Sequence, residues 1–461
     1  MKKALLLASL LLVGSSAFAG VDPNTYEPKE GFTLTNKWLK DGKHFSSEWK
    51  ALSFAGSAYA RTAAIAGDKI YVAWSKVVEA GEVIDYGNLN EFDFNGNFIR
   101  QIKLTLNGEP LAYSAPLSCN QVGCDDFGHV YVAGYTTGMI TEDGALKPFK
   151  IYTVDLETGA VTLAAELNLT DGEAQADYSG RVDYCHVIGD ITGKEARAVA
   201  MCAVNAGSKL LVYGWSREQG GDWAPHFADG EYATWEATES YPADQTSWSY
   251  APMVTIIKDD EFSGELFYVD GFTTLPALYN TDGTMLESFA SIENGDMLPK
   301  AGTNGVGEVN IGGTDFLLYS FAQYDQNPGC QAVISKLGEN QSFNGMTELW
   351  RIPADGLGST VDGTGFSDTG TRIHSIQTVK FVDVNGKEGA YIVTFKCMNG
   401  IGVYVLAEEG FVDSGVADVE MDLNAPIEYY NLNGVRVDSR NLVPGLYITR
   451  QGAKASKVVV K

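Results

Sequence analysis

GRVDYCHVIGDITGKEARAVAMCAV, residues 180–204, is the stretch that decides the fold, because its pattern returns at residues 371–397 as TRIHSIQTVKFVDVNGKEGAYIVTFKC. Both copies run from an arginine (Arg181, Arg372) through a β-rich segment to a turn that ends in Gly-Lys-Glu, and then through a second β-rich segment. A pattern that recurs far along a chain indicates a repeat fold, here built from a strand, turn, strand unit.

Four further segments carry the same unit, and a second kind of hairpin lies between the units. The further units are residues 61–74, 117–136, 253–272 and 304–322. The second hairpins each have a glycine at the turn, close to an Asn or Asp, where a positive φ is needed; they are Phe92–Phe98, Thr153–Val161 and Leu278–Met285. Two hairpins per repeat predict four antiparallel strands per repeat, with repeats that begin near residues 61, 117, 181, 253, 304 and 372.

Such a four-stranded sheet is apolar on both faces, so it must stack against its neighbours, and radial closure removes the open ends. The sequence therefore predicts an all-β protein, with residues 20–412 forming a β-propeller of six or seven blades. A seventh blade could lie in the first mature residues or in the insertion 217–249, and residues 20–60 could instead supply an outer strand to the last repeat. A β-sandwich array is the alternative, but it does not explain two alternating hairpin types.

The first nineteen residues have the form of a secretory signal peptide. Lys2 and Lys3 precede an apolar run from Ala4 to Val13, and the exit Ala17-x-Ala19 is a typical cleavage site. The apolar run is shorter than the roughly 20 residues that span a bilayer, which disfavours an uncleaved anchor. The sequence predicts an exported chain without a transmembrane segment after residue 19.

The charge of the chain is strongly negative. Lys and Arg number 33 against 59 Asp and Glu, a formal net charge of −26. Such a field repels nucleic acid and anionic lipid, so neither is predicted as a partner.

The cysteines and histidines do not predict a metal centre. A hairpin centred between residues 193 and 194 would place Cys185 opposite Cys202, which makes this pair the disulfide candidate. The five histidines contain no pair at metal-ligand spacing. Calcium binding at Asp125-Asp126 is considered, but no complete EF-hand loop is present and no cofactor is predicted.

The last 49 residues, 413–461, differ from the repeats and resemble a known targeting domain. The residues that carry the resemblance are Tyr430-Asn-Leu-Asn-Gly434-Val-Arg-Val437, then Pro444-Gly445-Leu-Tyr447, then the terminal Lys457-Val-Val-Val-Lys461. Together they resemble the C-terminal sorting domain of type IX secretion cargo. The resemblance implies a small β domain, read by the secretion machinery through residues 417–461, and a secreted or outer-surface protein. If that signal is inactive, a periplasmic location is expected, and the domain would only pack on the propeller.

The rest of the chain is similar to secreted propeller-like proteins of unknown function. The similarity rests on Ala60-Arg61-Thr62 with Ile70-Tyr71-Val72, on residues 123–133 and 149–152, and on Gly180-Arg181. That family has no established activity, so it implies no catalytic residues.

The first candidate ligand site is the central channel. Arg61, Arg181 and Arg372 hold equivalent positions at the start of three inner strands, with His186 and His374 a few residues on. Guanidinium groups that converge in an acidic protein could bind a carboxylate or sulfate. The structural alternative is pairing with carboxylates of the neighbouring blade, such as Asp183.

The second candidate ligand site is aromatic. Half of the eight tryptophans fall in residues 215–248, namely Trp215, Trp223, Trp235 and Trp248. Exposed rings beside carboxylates suit the stacking of sugars. The alternative is that these rings cover the outer strands of a blade.

These observations favour a secreted or cell-surface binding module whose ligand is a glycan or a protein. Neither Gly-x-Ser-x-Gly nor His-Glu-x-x-His occurs, and no pair of carboxylates stands out, so catalytic residues are not assigned. A carbohydrate-active hydrolase or lyase with carboxylates at the channel mouth is one alternative. An envelope scaffold protein is the other.

Overall fold

The computed structural model describes 23 parts of the chain, and within them every regular element is a strand apart from two short 3-10 turns, Phe289–Ser291 and Glu339–Gln341. The described residues are 26–41, 62–80, 82–111, 121–134, 148–167, 182, 184–193, 196–203, 210–218, 220–227, 234–236, 252–257, 265–271, 274–291, 305–320, 331–354, 374–396, 400–412, 427–430, 436–437, 442, 445–451 and 454–460.

The strands are numbered in chain order. Those of the first half are β1 (Phe32–Asp41), β2 (Ala63–Ala66), β3 (Lys69–Glu79), β4 (Glu82–Asp93), β5 (Phe98–Lys103), β6 (Thr105–Leu106), β7 (Glu109–Pro110), β8 (Gln121–Cys124), β9 (Val130–Ala133), β10 (Phe149–Val154), β11 (Val161–Leu167), β12 (Cys185–Gly189), β13 (Ala196–Ala203), β14 (Leu210–Arg217), β15 (Ala224–Pro225) and β16 (Thr234–Glu236). Those of the second half are β17 (Met253–Ile257), β18 (Leu266–Gly271), β19 (Thr274–Tyr279), β20 (Met285–Ser288), β21 (Val306–Ile311), β22 (Thr314–Ser320), β23 (Ala332–Lys336), β24 (Thr347–Ile352), β25 (His374–Val382), β26 (Glu388–Lys396), β27 (Gly400–Glu408), β28 (Ile427–Tyr430), β29 (Arg436–Val437), β30 (Gly445–Gln451) and β31 (Lys454–Val460).

Six antiparallel sheets form a closed ring, which confirms the predicted β-propeller and sets the blade number at six. Blades 1 to 5 are the sheets β2-β3-β4-β5, β8-β9-β10-β11, β12-β13-β14-β15, β17-β18-β19-β20 and β21-β22-β23-β24; β16 also pairs with β14. Blade 6 is β25-β26-β27-β1. The inner strands of successive blades contact each other, and β25 contacts β2, so blade 6 meets blade 1.

The N-terminal strand closes the ring. Strand β1 pairs antiparallel with β27 from Phe32 opposite Glu408 to Asp41 opposite Gly400, so the outermost strand of the last blade comes from the start of the chain. The prediction that residues 20–60 supply this strand is confirmed. The pairing joins the start of the chain to the last blade, so the ring is closed by hydrogen bonds between distant parts of the sequence.

The predicted repeat positions are confirmed by the inner strands, which begin at residues 63, 121, 185, 253, 306 and 374. The three predicted second hairpins also form, as the pairs Phe92 with Phe98, Val154 with Val161 and Tyr279 with Met285 show.

The core lies in the seams, the layers of side chains between neighbouring blades. Between blades 2 and 3, for example, Tyr131 and Ile151 pack with Val187 and Tyr213. The packing is tight where strands β8 and β9 pair, because a Cβ at Gly123 would lie 2.1 Å from the Tyr131 ring. This glycine is therefore required by close approach rather than by its φ.

The predicted disulfide is wrong. The hairpin β12–β13 is centred between residues 192 and 193, so Cys185 lies opposite Ala200, and Cys202 pairs instead with Leu211 of β14. Moving the centre of a hairpin by one residue moves each partner by two. Cys185 is a buried free thiol, and burial raises its pKa above the ordinary value.

A second compact unit contains residues 383–385 and 411–461. Its described strands form one antiparallel sheet in the order β29-β28-β30-β31. Residues 1–19, the predicted signal peptide, lie outside the described residues. Among the described residues, no helix is long and apolar enough to cross a membrane.

Candidate functional site

The six inner strands all begin at the same end of the channel, which is called the entrance here. The second strand of each blade runs antiparallel to the first, so its last residues lie at this end too; Asp270, near the end of β18, is opposite Met253, the first residue of β17. The predicted channel residues Arg61, Arg181 and Arg372 lie outside the described residues, as does Asp183. The backbone of His374 begins β25, and its side chain is not described.

Side chains near the entrance tie each inner strand to the next. His186, a predicted ligand residue, accepts a hydrogen bond at Nδ1 from the backbone N–H of Ile256 at 2.9 Å, and thereby links blade 3 to blade 4. All six seams carry a bond of this kind. The other five are Thr62 to Val122, Gln121 to Cys185, Thr255 to Val306, Thr378 to the carbonyl of Glu308, and Ser375 to the carbonyl of Ala63. The structural alternative predicted for the channel wall, pairing between blades, thus accounts for His186.

One pair crosses the channel. Tyr184, just before β12 in blade 3, hydrogen bonds with Gln377 of β25 in blade 6. In a ring of six, blades 3 and 6 face each other, so the tyrosine ring reaches from one wall to the other. Burial, more than any other effect, raises the pKa of the Tyr184 hydroxyl above its ordinary value, and the bond to Gln377 lowers it. The hydroxyl therefore stays protonated at neutral pH.

Asp270 is the most unusual group near the entrance. Its side chain is 0% exposed, Oδ2 accepts a hydrogen bond from the N–H of Gly305 at 2.7 Å, and Oδ1 has no partner. Burial raises its pKa from 3.8 to about 8, although the bond from Gly305 lowers it. Its charge also raises the pKa of Tyr184, which shows that the two groups are close. Asp270 is consequently a carboxylic acid that remains largely protonated at neutral pH.

A second buried carboxyl lies in the same seam. Glu308 of β21 faces blade 4, where it hydrogen bonds with Tyr268, and its Oε2 has no partner. Burial first and Asp315 second raise the pKa of Glu308 to about 7, and the bond to Tyr268 lowers it. Tyr268 and Asp270 alternate on β18 and both face blade 5, so the seam between blades 4 and 5 contains two carboxyls with raised pKa values.

The aromatic candidates do not form an exposed platform in the described residues. Trp215 is 2% exposed and stacks on Tyr213 with ring centroids 5.6 Å apart, so its predicted role in sugar stacking is wrong. Trp223 is half-buried; its Nε1 donates to the carbonyl of Ala164 at 3.2 Å, and the Arg217 guanidinium lies 5.0 Å from its ring. The physical reason is that both rings cover the seam between blades 2 and 3.

The other two aromatic candidates give no test of that prediction. The backbone of Trp235 lies in β16 opposite Val212, but its side chain is not described, and Trp248 lies outside the described residues. The alternation in LLVYGWSR, which places Tyr213 and Trp215 on one face of a strand, was the signal for burial of Trp215.

Sequence reasoning did not find Asp270, Glu308, Tyr184 or Gln377. A signal for Asp270 exists, since it is the first charged residue after the apolar run Leu266–Val269 and a carboxylate rarely ends a buried strand without a role. Glu308 likewise interrupts the apolar alternation of β21. Tyr184 and Gln377 have no local signal, because their meeting depends on closure of the ring.

Comparison with known proteins gives a likeness to other solved structures. No family model matches the chain, and no curated protein matches it. An α-L-arabinofuranosidase, Arb93A from Fusarium graminearum, with an iminosugar inhibitor, is similar with a TM-score of 0.43 at 12% identity, covering 77% of this chain and 94% of that one. An α-L-arabinanase from Penicillium chrysogenum with arabinobiose gives a TM-score of 0.37 at 13% identity, covering 77% and 95%. AofleA from Arthrobotrys oligospora gives 0.41 at 9% identity, covering 95% and 94%.

Proposed function

We propose that the protein is a carbohydrate-active hydrolase that acts at the channel entrance, with Asp270 as the proton donor. The observation that carries the proposal is the fully buried Asp270 carboxyl near the channel entrance, whose Oδ1 has no partner and whose pKa burial raises to about 8. A hydrolase that splits a glycosidic bond needs an acid that is still protonated at its working pH, and burial is the usual way to obtain one. Glu308, with the lower pKa of the two, is the second carboxyl of the same seam.

Stability alone does not explain why position 270 is an aspartate. An asparagine would accept the same hydrogen bond from Gly305 and would not carry an ionisable group into a fully buried position. Burying an unpaired carboxyl is unfavourable, and such groups concentrate at functional sites. This argument favours a chemical role for Asp270 over a purely structural one.

In the proposed reaction Asp270 gives its proton to the glycosidic oxygen as the bond to the anomeric carbon breaks. Water adds to that carbon, and its proton returns to a carboxylate of the site, so one bond is hydrolysed with no redox change. The hydroxyl of Tyr184, close to Asp270 and protonated, can orient the sugar beside it.

The test is an assay of the mature chain against a panel of plant and microbial polysaccharides, with release of reducing sugar as the measurement. We expect Asp270→Asn to lower turnover by at least about a hundredfold, the usual contribution of a general acid, with cooperative unfolding retained. The matched control, Asp222→Asn at an exposed position, should keep wild-type turnover. A cleaved substrate whose turnover is unchanged in Asp270→Asn would remove Asp270 from the mechanism.

A binding module for a glycan or a protein is the second candidate, and a specific observation favours it. Asp270 has no exposed surface, so the described residues offer a substrate no direct route to its carboxyl. A glycan array on the mature chain separates the two functions: signal without cleavage of any bound glycan supports the module, and Trp235→Ala should then weaken the signal. An envelope scaffold would give neither turnover nor array signal and would co-purify with a partner protein.

We propose further that residues 1–19 direct export and that residues 417–461 act as a sorting signal for the outer surface. The support is the sequence pattern alone. Deleting residues 417–461 should leave the propeller folded and hold it in the periplasm, as measured by protease accessibility on intact cells. Unchanged surface display of the truncated protein would refute the sorting role.

A further inference from the structure

A cluster of potential metal ligands lies at the other end of the channel from Asp270. Asp125 and His129 belong to the turn between β8 and β9 in blade 2, and Asp190 follows β12 in blade 3. Nδ1 of His129 lies 2.9 Å from Oδ2 of Asp125 and 3.3 Å from Oδ1 of Asp190. One nitrogen and two carboxylate oxygens from two blades thus converge on one point.

These separations suit a coordination sphere. Zinc binds imidazole nitrogen and carboxylate oxygen at about 2.0 to 2.2 Å, which places neighbouring ligands about 3.0 to 3.5 Å apart for octahedral to tetrahedral angles. The two distances from His129 Nδ1, 2.9 and 3.3 Å, lie close to that range. Both distances from His129 Nδ1 are therefore compatible with ligands of one metal ion, and all three ligand atoms lie within 4.8 Å of one another.

We propose that Asp125, His129 and Asp190 bind a divalent transition metal ion that links blades 2 and 3. An imidazole with two carboxylates is a donor set for zinc, manganese or cobalt, whereas calcium takes six to eight oxygens. The two carboxylates supply the charge that a divalent cation neutralises. In binding, the neutral imidazole exchanges its Nδ1 proton through solvent for one on Nε2, so that the Nδ1 lone pair faces the metal, and water completes the coordination.

The turns hold the ligands in place. Oδ1 of Asp125 accepts hydrogen bonds from the N–H groups of Phe127 and His129 at 2.9 and 2.8 Å, and Oδ2 accepts from the N–H of Ile191 at 2.8 Å. Contacts of this kind orient a ligating carboxylate and raise the affinity of a metal site. The Asp125 side chain is 0% exposed, so its position is fixed.

A second pair of bonds fastens the two turns to each other. Oδ2 of Asp126 accepts from the N–H of Gly189 at 2.7 Å, and the N–H of Asp126 donates to the carbonyl of Gly189 at 3.2 Å. The frame that carries the three ligands is thus preformed across the seam. His129 and Asp190 remain partly open to solvent, with side chains 38% and 24% exposed, which gives an ion a way in.

The competing interpretation is that the cluster is only a hydrogen-bonded clamp. Without a metal, the same Nδ1 donates its proton to Asp125, and Thr192 Oγ1 lies 3.4 Å from Nε2 on the far side of the ring. Both interpretations join blades 2 and 3, and they differ in whether the protein takes up a metal. The site shares no residue with the proposed hydrolase site, so either proposal can fail alone.

The experiment is a titration of the full mature chain, stripped with EDTA and dialysed, with zinc chloride. Isothermal calorimetry and thermal unfolding should give uptake of one zinc per chain and a higher melting temperature. Asp190→Asn keeps the turn bond to the Thr192 N–H and removes a ligand charge, so it should weaken zinc affinity by about tenfold or more. His129→Gln should do the same.

The matched control is Asp155→Asn, in a turn of the same blade where Oδ1 accepts from the N–H groups of Glu157 and Thr158. Among the described residues Asp155 belongs to no cluster of potential metal ligands. It should bind zinc as the wild type does. Three results would overturn the proposal: no zinc uptake at millimolar zinc, uptake that both ligand variants retain in full, or stabilisation by calcium and not by zinc. If His129→Gln fails to fold, Asp190→Asn alone decides.

Discussion

Replacing Asp270 by asparagine should make the stability of the propeller less dependent on pH. Asparagine keeps an acceptor for the N–H of Gly305, which Oδ2 of Asp270 binds at 2.7 Å, and it cannot ionise. Because burial raises the pKa of Asp270 from 3.8 to about 8, the folded protein keeps a proton that the unfolded chain releases. The stabilisation from the protonated carboxyl is fully present below the unfolded pKa and is lost as the pH rises through the folded pKa.

The size of the effect follows from the two pKa values. One pKa unit corresponds to about 1.4 kcal/mol. Between pH 5 and pH 8 the unfolded carboxyl is ionised while the folded one stays mostly protonated, so this group should lower the free energy of unfolding by about 4 kcal/mol. Glu308, whose pKa is raised to about 7, also lowers the free energy of unfolding as the pH rises. Because Glu308 is present in both proteins, its effect cancels in the comparison.

The assay is urea unfolding of the wild type and Asp270→Asn at pH 5, 6, 7 and 8, followed by tryptophan fluorescence. From pH 5 to pH 8 the stability of the variant relative to the wild type should rise by about 3 to 4 kcal/mol, by the linkage used above. Asp222→Asn, at an exposed position, should follow the wild type at every pH. Parallel curves for the wild type and Asp270→Asn would show that Asp270 ionises normally, and the argument for a buried acid would fail.

Three further predictions concern the seams. Gln121→Leu removes both hydrogen bonds to the backbone of Cys185, at 2.6 and 3.1 Å, and should lower the free energy of unfolding by about 2 to 4 kcal/mol, because two buried backbone groups each lose a hydrogen bond; a loss below the error of urea unfolding would contradict this. Gly123→Ala, whose Cβ would meet the Tyr131 ring at 2.1 Å, should cost about 1 to 3 kcal/mol by overpacking, and a melting temperature equal to the wild type would show that the ring can move. The Cys185 thiol, free and buried, should resist maleimide in the folded protein and react after unfolding without reductant; mass spectrometry that finds it in a disulfide would refute the observed register.

Local pattern was enough to predict the blades. Each first hairpin alternates apolar residues about a turn, and each second hairpin has a glycine at its turn, so the strand positions follow from short-range rules. The number of blades does not follow from such rules. It depends on whether residues 20–60 build a seventh sheet or complete the sixth, and the answer comes from the pairing of β1 with β27, more than 350 residues apart.

The site was harder to predict than the fold for a related reason. Tyr184, Asp270 and Gln377 come from three different blades and meet only when the ring closes. The disulfide prediction failed on a smaller scale, because the turn after Gly189 is centred one residue earlier than the Gly-Lys-Glu pattern suggests, and Cys185 then faces Ala200. Patterns within one hairpin fix which strands pair, whereas register and convergence depend on turn geometry and on contacts between repeats.

The hydrogen bonds between neighbouring inner strands explain why the repeats share little sequence similarity. They also provide a background against which the seam between blades 4 and 5 is unusual. Each seam needs a single polar side chain that reaches the backbone of the next blade, and threonine, glutamine, histidine and serine all serve. The chemical identity of the residue is therefore free to vary as long as it can hydrogen bond. The seam between blades 4 and 5 differs in another way: beside the bond from Thr255 to Val306, it buries two carboxyl groups, Asp270 and Glu308, that each have an oxygen without a partner. Among the described residues, the buried carboxyl oxygens without a partner belong to these two residues. An unpartnered carboxyl in a fully buried position is unfavourable for stability, so this seam is where function is expected.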